Sequence, residues 1–152
     1  MITAQVETVD GMLAEAMALL PQHYNELALH KAMVPLEPRY EVYRAKEASG
    51  ELLIVTVRRN GTLVGYWITF IGPGLHYKTC LTGTFDIFYI VPEARRSVAA
   101  LLLGRKVEAE LRKRGVQRWY AGEKLAKPEA GKLYQLLGMA PVETFYCKWL
   151  GD

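Results

Sequence analysis

Between residues 52 and 71 the chain reads LLIVTVRRNGTLVGYWITFI, two β-rich apolar runs on either side of Arg59-Asn60-Gly61-Thr62. Asn-Gly at such a junction suits a type I′ turn, so the pattern predicts a hairpin. A third strand-like run, TFDIFYIV, follows the loop Gly72 to Tyr77. Beyond Pro92 the period changes. Ala100, Leu103, Val107 and Leu111 share one helical face with Gly104 beside them, while Glu108 and Arg112, and Glu110 and Arg114, form exposed i,i+4 pairs. Gly115 ends that helix, VQRWYAG makes a further strand, Pro128 and Glu129 open a short helix through Leu137, and Gly138 closes it. VETFYCKWL reads as a last strand. Ahead of the hairpin, Ile2 to Val9 is strand-like and Asp10 offers an N-cap. MLAEAMALL and HYNELALHKAM are two short helices parted by Pro21, and Val34 to Gly50, with Pro35 and Pro38, is an irregular connector.

This order predicts one α+β domain over residues 1–152. A mixed central sheet of six to seven strands holds a hairpin meander and is flanked by about four helices. Its ligand crevice belongs where neighbouring strands part. A composition of 51% hydrophobic and 23% charged residues over 152 positions supports a real core and excludes a disordered chain. The +3 formal charge is mild, but cations cluster at Arg95 and Arg96, at Arg105 and Lys106, and at Arg112 to Arg114; a local anion site fits this better than a general nucleic-acid surface. Cys80 and Cys147 lack metal spacing and read as buried thiols of a reducing compartment. With no leader pattern or membrane-length apolar run, a soluble cytoplasmic protein is expected. Trp67, Trp119 and Trp149 read as packing residues, since no basic run interleaves them.

Three stretches carry a resemblance: the Asn60-Gly61 hairpin with LVGYW, the strand-loop-helix IVPEARRSVAALLLGRKVEAELRKRGV, and the close LYQLLGMAPVETFYCKWL. Together they resemble the GNAT superfamily of acyl-CoA N-acetyltransferases over roughly the last two thirds of the chain. LHYK followed by DIFYIVPEARR is similar, more narrowly, to short GNAT-like proteins of tailed phages and prophages. The resemblance implies a GNAT-like fold, acetyl-CoA as acyl donor and an amine acceptor. It places the cofactor along Ile90, Val91, Arg95, Arg96, Ser97, Val98, Ala99, Ala100 and Leu101, with backbone N–H groups holding the pyrophosphate at the helix start. In the family this loop reads approximately Gln/Arg-x-x-Gly-x-Gly/Ala. Arg95 and Ala100 fit; Val98 stands where the first glycine is expected, and either fills the phosphate's space or points elsewhere. Arg95 and Arg96 on a first helical turn oppose the helix dipole unless an anion neutralises them.

An amine attacks a thioester only as the free base, so a general base is useful. Asp86, amid the apolar TFDIFY, is either that base or a structural carboxylate capping a loop; His76 lies in the preceding loop. The resemblance places Tyr134 where a tyrosine often protonates the departing coenzyme A thiolate, with packing as its alternative role. His23 and Glu26 share a helical face with His30 following, either a wall of the acceptor site or a solvated stripe, and no metal is expected there. A catalytically inactive phage or prophage protein, virion-associated or serving protein interactions, is the alternative function. A homodimer is compatible with either reading, and an anion or nucleic-acid binder ranks last.

Overall fold

The computed structural model describes residues 1–152 as one sheet sandwiched between two helical layers. Strands β1 (Ile2–Val6), β2 (Leu52–Arg59), β3 (Thr62–Gly74), β4 (Tyr77–Ile90) and β5 (Arg118–Tyr120) lie side by side in chain order. The first four pair antiparallel; β5 joins β4 in parallel, through the crossover helix α3 (Ala99–Lys113). Helices α1 (Val9–Leu27) and α2 (Tyr40–Ala48) precede β2, and α4 (Ala130–Leu136) follows β5.

Alternation along the strands explains the layers, because successive side chains point to opposite faces. Leu53, Val55, Val57, Trp67 and Ile90 face α3 and α4, in a cluster of 14 buried residues that includes Leu103, Val107 and Leu111. Leu52, Ile54, Leu63, Tyr66, Ile68 and Tyr89 face the other way, onto Val9, Met12 and Ala16 of α1. The hairpin forms as expected, with Asn60 at φ 50° and Gly61 at φ 85°, the two positive angles of a type I′ turn.

Several expectations are corrected. The sheet has five strands, because VETFYCKWL does not join it: residues 140–152 carry no helix or strand and make no backbone–backbone hydrogen bond. Pro21 does not break the first helix, which runs through it as a single element capped by Thr8 rather than Asp10. The proline lies on an exposed side, where the carbonyl that loses its amide partner can meet water. Helix α1 ends at Leu27 and the chain turns through His30 at φ 54°, whereas part of the supposed irregular connector is α2. Strand β4 begins at Tyr77 instead of Thr84, reducing the loop to a tight hairpin end. Glu108 does pair with Arg112, but Glu110 pairs with Lys106 and Lys113, and Arg114 instead donates to the Leu52 carbonyl. Of the two free cysteines Cys80 is half-buried and Cys147 exposed; Trp149, on the unpaired last segment, is partly exposed rather than packed in a sheet.

Candidate active site

Strands β4 and β5 touch only over Thr82–Thr84 and Arg118–Tyr120, then part. The opening begins where β4 is irregular. Thr69 faces Phe85 and Ile68 faces Ile87, leaving Asp86 as the extra residue of a β-bulge. The bulge turns the Asp86 carboxylate toward the α1–α2 side, where the Tyr43 hydroxyl of α2 donates to Oδ2. Burial raises the Asp86 pKa above the usual carboxylate value, opposed by that hydrogen bond, and burial with the same contact raises the Tyr43 phenol. Asp86 is thus a half-buried carboxylate without a salt bridge, held by one neutral donor.

Tyr134 lies across the opening on the α3–α4 face, against Trp67 and Phe88. Its hydroxyl donates to the Gly122 carbonyl at 2.7 Å, just past β5, and burial, then the charge of Glu123, raises its pKa. The phenol therefore keeps its proton at neutral pH. Trp67 Nε1 and Trp119 Nε1 are shielded from solvent on this face without an acceptor, their rings 5.1 Å apart.

Below the opening, β4 leads through a 3₁₀ turn (Pro92–Ala94) into α3. The Ser97 hydroxyl donates to the Ala94 carbonyl at 2.6 Å and accepts from the Ala99 amide at 3.2 Å, which shapes the entrance without glycine. The amides of Arg96, Val98, Ala100 and Leu101 have no protein acceptor, so four N–H groups gather at the positive end of a 15-residue helix. Val98 takes a right-handed helical φ of −70°, and its side chain is 59% exposed rather than turned into the sheet. Arg96 is exposed and carries no ion pair. Arg95 is engaged: its Nε donates to the Ile90 carbonyl at 2.9 Å, a terminal nitrogen meets Glu26 at 2.7 Å, and the guanidinium lies over the Tyr89 ring. The Val91 amide donates to Val64, so neither Val91 N–H nor the Ile90 carbonyl is free.

The structure brings His23 and Glu26 to this entrance but not as a solvated stripe. The His23 ring stacks on Tyr89 at 4.6 Å and its Nδ1 lies 2.8 Å from the Tyr66 hydroxyl. Burial lowers its pKa to about 4; Arg95 and Lys124 push the same way and Glu26 opposes. The Arg95 hydrogen bond holds Glu26 below its ordinary value. His76 stands apart at the β3–β4 hairpin end, ten residues along β4 from Asp86 and so roughly 30 Å away. The sequence does not single out Tyr43, because α2 lies in a stretch whose prolines, Pro35 and Pro38, suggest an irregular connector. No group of three or more His, Cys, Asp or Glu side chains is placed to hold a metal, and no helix is long and apolar enough to cross a membrane.

No protein-family model and no curated protein matches the chain. Solved structures do. A GCN5-related N-acetyltransferase from Ralstonia eutropha JMP134 matches with a TM-score of 0.76 at 14% identity, covering 99% of this chain and 100% of its own. A ribosomal-protein-alanine N-acetyltransferase from Brucella melitensis biovar Abortus 2308 gives 0.73 at 16% identity, covering 99% and 100%. A predicted acetyltransferase with acetyl-CoA, from Clostridium acetobutylicum, gives 0.70 at 13% identity, covering 99% and 97%. With a mixed sheet that parts between β4 and β5 and four α-helices around it, the chain has the GNAT-like α+β fold.

Proposed function

We propose that this protein is an N-acetyltransferase that takes acetyl-CoA as donor and transfers the acetyl group to an amine by direct attack. What supports the reading is the neighbourhood of the point where β4 and β5 part: four free amides at the α3 entrance that follows β4, the Asp86 bulge in β4 itself, and Tyr134 bonded to the chain just past β5. The entrance fits a pyrophosphate, since four amides at the helix start are unpaired without any glycine and Val98 is exposed. Arg96, Val98, Ala100 and Leu101 would hold the phosphates, Arg96 with its side chain as well. Arg95 acts through structure, tying Glu26 of α1 to the entrance.

Bound acetyl-CoA would supply an activated acyl thioester and, on leaving, a thiolate in need of a proton. Asp86 Oδ1 takes the proton of the incoming ammonium, directly or through a water, while Tyr43 holds Oδ2; a carboxylate raised by burial is a better base than a solvated one. Tyr134 carries its proton on Oη and needs only to release the Gly122 carbonyl to redirect it. The acceptor enters from the α1–α2 side, where Asp86, Tyr43 and the His23–Glu26 corner lie.

Titration calorimetry with acetyl-CoA and coenzyme A tests the binding half. Micromolar binding weakened about tenfold by Arg96→Ala supports it. The catalytic half is read by thiol release against a peptide with an N-terminal alanine, a lysine peptide and a polyamine. Asp86→Asn and Tyr134→Phe should each lower kcat by roughly 10²-fold or more with coenzyme A affinity unchanged. A second reading, an inactive scaffold of the phage-like kind, is favoured by one observation: Arg95 is already neutralised by Glu26 instead of awaiting an anion. No binding in the wild type, with binding gained in Val98→Gly, decides for the scaffold.

A further inference from the structure

On the α1–α2 side of the sheet, the surface next to Asp86 gathers positive charge that the chain does not itself neutralise. The Phe70 ring stacks on Tyr43 at 6.1 Å and has the Lys46 ammonium 5.4 Å from its centre, so one ring joins the Asp86–Tyr43 pair to a second group of side chains. Thr84 faces Phe70 across the β3–β4 ladder, Thr82 faces Gly72, and Arg118 of β5 faces Thr82. These residues line a cavity of about 290 Å³, with residues 72–74 of β3 along one wall.

The cavity's electrostatics are one-sided. The Arg118 guanidinium lies over two rings, 4.9 Å from the centre of Tyr77 and 5.4 Å from that of Tyr120, which holds its plane in place. Its Nε is shielded from solvent without an acceptor, and neither Arg118 nor Lys46 takes part in an ion pair. Glu51, the one carboxylate of the lining, accepts from the Ser49 hydroxyl at 2.6 Å and pairs with neither cation. A shielded polar atom without a partner is costly, and two unpaired cations beside one small space repel each other. An anion between them relieves the repulsion. A carboxylate suits the planar guanidinium fork, with the Thr82 and Thr84 hydroxyls as further donors.

We propose that the acceptor is a peptide whose N-terminal amine reacts at Asp86 while a carboxylate two residues further along it is held between Lys46 and Arg118. The amine end rests on the acetyltransferase reading; the carboxylate end rests on the cavity alone. Thr84 and Thr82 lie two and four residues along β4 from Asp86, roughly 7 and 13 Å. An extended tripeptide separates its amine from its carboxylate by about 10 Å and so spans this interval. A free amino acid, with both groups on one carbon, does not. A polyamine brings only further positive charge to the two cations and is excluded by them.

Thiol release with acetyl-CoA should show a kcat/KM about tenfold higher on trialanine than on trialanine amide. A shift titration of ¹⁵N-labelled protein without donor should show the same order of affinity, with the Thr82, Thr84 and Arg118 amides moving. In the double variant Lys46→Gln with Arg118→Gln both preferences should fall below about twofold, and a ratio between two peptides cancels any general loss of activity. If the double variant unfolds, Lys46→Gln alone, on a half-buried lysine in the last turn of α2, should cut the preference about threefold. Alanyl-alanyl-aspartate amide separates the two sources of a carboxylate: activity equal to trialanine assigns the cavity to an acidic side chain of a longer peptide, and activity as low as the amide assigns it to a chain end. Equal binding of trialanine and its amide, measurable and equal turnover of the two, or a preference that survives the double variant would each overturn the carboxylate site. Binding that follows the carboxylate with no acetyl transfer to any peptide would uphold that site and remove the acetyltransferase reading instead.

Discussion

His23 carries the most legible electrostatics in the molecule. Stacked on Tyr89 and bonded to Tyr66, it resists protonation until about pH 4, while in the unfolded chain it takes a proton near its ordinary value of 6.5. Between those values the unfolded state binds the extra proton, so stability falls as pH drops through the window, by roughly 3 kcal/mol at most. Thermal unfolding should show this loss from about pH 6.5 to 5, ahead of the carboxylates. His23→Gln should flatten the slope there, and an unchanged slope would show that the ring is not buried as described. Arg58 presents the opposite case: it binds both Glu7 and Glu15, tying β1 and α1 to β2, with only 12% of its side chain exposed. Burial pushes the Glu7 pKa up, but hydrogen bonds from Arg58 and Thr56 win and hold it low. Arg58→Ala strands a shielded carboxylate and should cost about 3 kcal/mol in denaturant unfolding at pH 7, and less as the pH falls, because the stranded Glu7 carboxylate, no longer held low by Arg58, can then take a proton.

At the scale of elements, what the sequence made legible is what local chemistry decides. Asn60-Gly61 demands two positive φ angles and obtains them, and the 3.6-residue period of α3 names its buried face because one side of that helix packs on the sheet. The misreadings share another cause. Pro21 breaks a helix by local rule, yet solvent can take the freed carbonyl; VETFYCKWL has strand propensity but no partner within its own chain, and pairing is not written in a single segment. The candidate site divides the same way. The α3 entrance could be placed by pattern, whereas the Asp86 bulge, which depends on β3–β4 register, and Tyr43, which reaches it from α2, could not. Register also predicts a fragile point. Gly65 lies in β3 with β2 and β4 close on either side, and a Cβ there would sit 2.8 Å from the Tyr89 carbonyl oxygen and 2.9 Å from Ile90 Cγ1. The obstacle is backbone, which cannot swing aside. Gly65→Ala should therefore destabilise by about 1–3 kcal/mol in urea unfolding, even though alanine is otherwise the better strand residue.

Taken whole, the molecule is unevenly joined. Strands β2, β3 and β4 run side by side over long pairings between two filled layers, while β5 holds to β4 through three residue pairs and α4 is a seven-residue helix resting on α3. Local opening follows the least covered backbone, so amides of residues 116–136 should exchange with solvent at a lower free energy than those of residues 52–71. The proposed donor would lie between these parts, touching the α3 entrance on one side and the Gly122–Tyr134 wall on the other. A ligand that binds only the closed arrangement at 100 times its Kd adds about 2.7 kcal/mol to it. Coenzyme A should thus slow exchange at residues 116–136 by up to about 100-fold and raise the melting temperature by about 5–11 °C, since each kcal/mol is worth about 2–4 °C in a chain of this size. Slowing confined to the Arg96–Leu101 amides, with 116–136 unchanged, would mean that the phosphates are held but the gap between β4 and β5 is not the acyl site.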